Sequence, residues 1–163
     1  MFAFVRLFLD ICLLRKGPQD VPESGFLLVS LFLMDILISS LFGMMDGDLW
    51  DAMAQAFVAA VILLGFTAFL LVVTSHRSRF QKTATAALGC DAVITLLAFP
   101  MTGLSHLIDG ASLLILVIVL WNFVVYAHIL RNALGIGYSL ASILTLIHMI
   151  VSLCLLYTSP SPR

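Results

Sequence analysis

Five stretches of the chain run for about twenty residues with almost no charge, each bounded by a short polar cluster. That length matches a bilayer's hydrocarbon core, because an α-helix rises 1.5 Å per residue and roughly 20 residues cross about 30 Å. The pattern predicts spans at residues 24–45, 52–74, 83–104, 111–130 and 136–157. Ahead of them, residues 1–16 carry Phe4, Leu7, Phe8, Ile11 and Leu14 at helical spacing, and Arg6 and Asp10 are expected to pair at i, i+4 on another face. This is the pattern of an amphipathic interfacial helix, and Asp10 interrupts the apolar stretch too early for a secretory signal. Gly17, Pro18 and Pro22 predict a linker that completes an amino-terminal segment at 1–23, with Glu23 and Ser24 placed where the first span would be capped. The expected fold is all-α, an integral membrane bundle of five transmembrane helices within residues 24–156, preceded by the interfacial helix.

The polar exceptions inside the spans carry the information. In the first, 31–42 reads LFLMDILISSLF, with the carboxylate of Asp35 in mid-run. An Asp at a helix centre costs roughly 3 kcal/mol on insertion scales, while each of the twelve Leu, Ile, Phe and Val residues between Ser24 and Met45 returns roughly 0.3 to 0.6 kcal/mol. The span is expected to insert in spite of Asp35. The third span is different: seven large aliphatic or Phe residues stand against Asp91, Gly89, Pro100 and several Thr and Ala, so its insertion is near break-even. It is expected to sit inside the bundle, away from lipid. The second span opens with Ala52, Ala56 and Ala60 at four-residue spacing, which lets a neighbouring helix approach closely.

Composition sharpens the class. Of 163 residues 62% are apolar and 10% charged, against roughly half and a quarter in soluble domains, which excludes a soluble globular reading. The net charge of -1 offers nothing to nucleic acid, and the lipid bilayer is the expected partner, together with a second copy or another membrane protein. Seven of the eight Lys and Arg fall on one side of the predicted spans, and Asp46, Asp48, Asp51 and Asp109 on the other. By the positive-inside rule the amino terminus is expected to be cytoplasmic and the end of the fifth span to face out, in a bacterial inner membrane.

Asp35, Asp91, Asn122 and His148 come from four different spans and fall at similar depth, with Ser39, Thr95, Tyr126 and Thr145 as supporting polar groups. Two readings stand: a proton- or cation-sensitive cluster, or a hydrogen-bonded staple between helices. The sequences that begin at Asp35 (DILISSL) and Asp91 (DAVITLL) are alike, as a parallel repeat of two spans would make them. No GxSxG, HExxH or Gly-rich phosphate loop occurs, so no enzyme activity and no cofactor are expected. Cys12, Cys90 and Cys154 have no metal-binding spacing, and Asp46, Asp48 and Asp51 lack the ladder of an EF-hand loop, so no metal is expected either. The tail at 157–163 resembles translated sequencing adapter and is expected to be non-native.

Five spans, short loops and Gly137-Tyr138-Ser139-Leu140 at the head of the last span resemble the bacterial branch of the Yip family of polytopic membrane proteins, whose eukaryotic relatives interact with Ypt/Rab GTPases. The resemblance implies a non-enzymatic membrane scaffold acting through membrane or helix partners. It does not carry Rab binding, since the DLYGP-type amino-terminal motif is absent. The alternative is a small proton- or cation-coupled transporter or channel subunit using Asp35, Asp91 and His148.

Overall fold

The computed structural model describes residues 2–45, 47–105 and 112–158. Asp46, the turn carrying His106 and Asp109, and residues 159–163 of the tail lie outside the described residues. The six α-helices are α1 (Phe2–Cys12), α2 (Gly25–Gly43), α3 (Leu49–Val73), α4 (Phe80–Ser105), α5 (Ser112–Leu134) and α6 (Tyr138–Thr158). No strand occurs among the described residues, and α2 to α6 are each long and apolar enough to cross a membrane.

Local chemistry sets the helix ends. Ser24 caps α2 by accepting a hydrogen bond from the Leu27 amide at 3.3 Å. The α5–α6 turn falls later than the Arg131-Asn132 pair suggests, because Arg131 and Asn132 both continue α5. Asn132 donates to the carbonyl of His128 at 2.9 Å, and the helix ends at Gly135, whose φ of 67° and amide bond back to Arg131 form a left-handed stop. The basic end is further tied by Arg79, which donates to the Ala133 carbonyl at 3.0 Å, and by Arg131, whose guanidinium lies 4.0 Å from the centre of the Tyr138 ring.

Helix α4 is the axle. It packs against α1, α2, α3 and α5, and its residues from Thr83 to Cys90 are all buried. Half of its apolar stretch is buried, against 11% in α2 and in α6, whose outward faces are aliphatic and compatible with lipid contact. The helix with the weakest affinity for lipid thus takes the most sheltered place, and the reason is its small residues, which allow neighbours on several sides to approach closely.

Helix α1 folds back onto the bundle. Phe8, Ile11 and Cys12 are buried, and Phe8 occupies the notch at Gly89, where an added Cβ would lie 2.4 Å from its ring. The Cys12 thiol donates to the carbonyl of Cys90 and the Cys90 thiol to that of Phe8, each at 3.9 Å. The expected Arg6–Asp10 pair does not form. The chain reverses after α1, with Leu14 at φ 60° and the amides of Arg15 and Lys16 bonded to the Asp10 carbonyl, and this brings Lys16 within 3.3 Å of the Asp10 carboxylate. The linker then makes a short 3-10 turn at Pro18–Asp20 that packs against α4 and α5, with Val21 buried.

Candidate functional site

Helix α4 begins at Phe80, so Asp91 and Asp35 both lie roughly 16 Å along helices that start from the same end of the bundle. Laterally they part. Asp91 is half-buried and lines a half-open cleft of about 340 Å³ between α3, α4, α5 and α6. Asn122 reaches across from α5 and donates its amide to Asp91 Oδ1 at 2.9 Å. A carboxylate has about four acceptor positions, so this one bond orients Asp91 and leaves further capacity turned to the cleft.

His148 of α6 lines the same cleft, but its ring is positioned by aromatic packing. It lies 5.0 Å from the Phe66 ring and 4.8 Å from the Tyr126 ring, and its buried Nδ1 has no hydrogen-bond partner. Tyr126 is fixed in turn by a 3.0 Å hydrogen bond between its hydroxyl and that of Thr67, which donates to the Leu63 carbonyl. Thr145 is buried with its hydroxyl bonded to the Ala141 carbonyl, so it supplies a wall rather than a free donor. Asp91, Asn122, His148, Tyr126 and Thr145 therefore share one cleft.

Asp35, Ser39 and Thr95 do not line it. Asp35 is only 3% exposed, its Oδ1 has no hydrogen-bond partner, and it lies within electrostatic reach of Asp91. A buried acceptor left without a donor costs about 1 to 3 kcal/mol, which marks Asp35 as a position not chosen for stability. In α2 the buried hydroxyl is Ser40, bonded to the Ile36 carbonyl, while Ser39 is half-buried. Thr95 is half-buried as well, and the counterpart of Ser40 in the DAVITLL stretch is the exposed Leu96. The two like sequences thus meet different surroundings.

Comparisons with protein-family models, curated proteins and solved structures find no match.

What the cleft can do follows from its lining. Aliphatic and aromatic side chains such as Leu63, Ile94, Val119, Phe123 and Met149 form most of the walls, and Asp91, Asn122, Tyr126, Thr145, His148 and Ser152 supply the polar groups among them. This is the make-up of a binding site: apolar walls that hold, and a few placed polar groups that orient. Thr67 and Phe66 were not singled out by sequence reading. Thr67 had a signal, since continuing the Ala52, Ala56, Ala60 stripe by helical steps reaches Leu63 and then Thr67, all buried.

Proposed function

We propose that this chain is a non-enzymatic integral membrane protein that recognises a partner within the bilayer, with the cleft between α3, α4, α5 and α6 as the place of recognition. The observation that carries the reading is Asp91, a carboxylate held in orientation by Asn122 and turned into a mostly apolar cleft halfway along the helices. Polar groups at such depth face the bundle interior and mark functional positions. The reading agrees with the scaffold role that the Yip resemblance implies and with a bacterial inner membrane in which the basic end, with Arg77, Arg79 and Lys82, faces the cytoplasm.

A second reading, a proton- or cation-coupled transporter or channel subunit, is favoured by Asp35. It places a second buried acid with an unpartnered oxygen near the first. Flux across reconstituted vesicles at two pH values separates the two. Transport that varies with pH and disappears in Asp91→Asn supports the second reading. Saturable occupancy of the cleft without flux supports the first, and failure of cleft-filling Ala59→Trp to alter either occupancy or flux overturns both.

A further inference from the structure

We propose that the cleft takes a lipophilic organic cation, with Asp91 as its counter-charge. The inference rests on the reading of this cleft as a recognition site and adds the chemical class of what is recognised.

Charge decides the sign. Among the described lining residues the only acid is Asp91, and no Lys or Arg joins it. Asp35 is buried outside the lining and interacts electrostatically with Asp91. The lining group that would oppose a cation is His148, and an imidazole is uncharged at pH 8. In a low-dielectric site an unpaired carboxylate is costly, and an entering cation relieves that cost.

The walls decide the class of cation. A hard metal ion requires six or more oxygen ligands, and Mg²⁺ a near-octahedral set. Here the hydroxyls of Tyr126 and Thr145 are already bonded to Thr67 and to the Ala141 carbonyl, which leaves Asp91, Asn122 and Ser152. That oxygen set is too small for a bare ion. Aliphatic walls suit a charge surrounded by its own carbon substituents, and the lining includes the aromatic residues Phe123 and Tyr126, a residue type that attracts desolvated cations. A volume of about 340 Å³ falls within the size range of small-molecule sites.

The test uses two probes of the same shape and opposite charge, tetraphenylphosphonium and tetraphenylborate, titrated at pH 8 into the full chain in nanodiscs, with empty nanodiscs as the blank. The expected result is saturable binding of the cation, at least tenfold tighter than that of the anion, and a loss of at least tenfold in Asp91→Asn. That variant keeps the shape of the side chain and can still bond to Asn122, so it is expected to fold, and its helical circular dichroism checks this. Equal binding of both probes, unchanged in Asp91→Asn but abolished by Ala59→Trp, overturns the cation assignment and leaves the cleft as a recognition site. No saturable binding of either probe overturns both.

Discussion

The ring of Phe8 fills the notch at Gly89, and no residue with a Cβ could stand at 89 without displacing it. This contact joins the amphipathic α1 to the axle helix α4, so position 89 controls whether the amino-terminal helix docks. Gly89→Ala is expected to destabilise the protein by about 1 to 3 kcal/mol through overpacking, measured as a lower unfolding midpoint. Combining it with Phe8→Ala should cost less than the two single changes added together, because one clash is then relieved by the other. Simple additivity would show that the two residues do not meet.

The Asn122–Asp91 hydrogen bond is expected to contribute about as much as other interhelical polar contacts in membranes. A double-mutant cycle with Asn122→Ala and Asp91→Ala should return a coupling of about 0.6 kcal/mol, and no more than about 1.7 kcal/mol. A coupling near zero would mean that Asn122 does not orient the acid.

Asp35 should behave in the opposite way to a staple. Replacing it with Leu removes a buried acceptor without a donor, so Asp35→Leu is expected to improve insertion of the first span by roughly 3 kcal/mol in a translocon reporter assay and to raise the unfolding midpoint. A protein that becomes more stable while losing its activity would identify Asp35 as kept for function. A fall in stability would show that Asp35 has a partner that holds it.

Gly135 offers a check on the α5–α6 turn. At φ 67° a side chain is strained, and Gly135→Ala should cost about 1 to 2 kcal/mol, with Gly135→Asn milder because Asn tolerates the left-handed region. Equal effects of Ala and Asn would argue against this backbone geometry.

Orientation can be read with an impermeant thiol reagent on cells. Ser78→Cys, at the basic end, should be labelled only after lysis, and Asp48→Cys, at the acidic end, in intact cells. Cys154, the exposed native thiol, is replaced by Ser in both. The reverse pattern would invert the proposed topology.

Much of this architecture was legible in the chain, since long apolar runs and short polar breaks leave few alternatives to five long apolar helices. The sheltered place of α4 could be read from its Thr, Ala and Gly content, and the cap at Ser24 from its position. Lateral arrangement could not. Asp35 and Asp91 have similar depth and similar neighbours in sequence, yet one is enclosed and the other opens on a cleft, because the rotation of each helix is set by contacts that a single sequence does not encode locally. The bond from the Cys12 thiol to the Cys90 carbonyl, 78 positions apart, and that from the Cys90 thiol to the Phe8 carbonyl were hidden for the same reason. The Lys16–Asp10 pair escaped notice because it depends on a left-handed residue, Leu14, that no Gly or Asn announces.

The place of α4 also bears on how the protein is made. Three of the four helices packed against it, α1, α2 and α3, precede it in the chain, and only α5 follows. When this weakly lipophilic segment leaves the ribosome, the surfaces that will shelter most of it have already been synthesised. On insertion into a bilayer, this chain order would offer a protein groove to the helix that lipid alone would barely accept. Transplanted to the front of the molecule, the same segment would meet the bilayer without that reception.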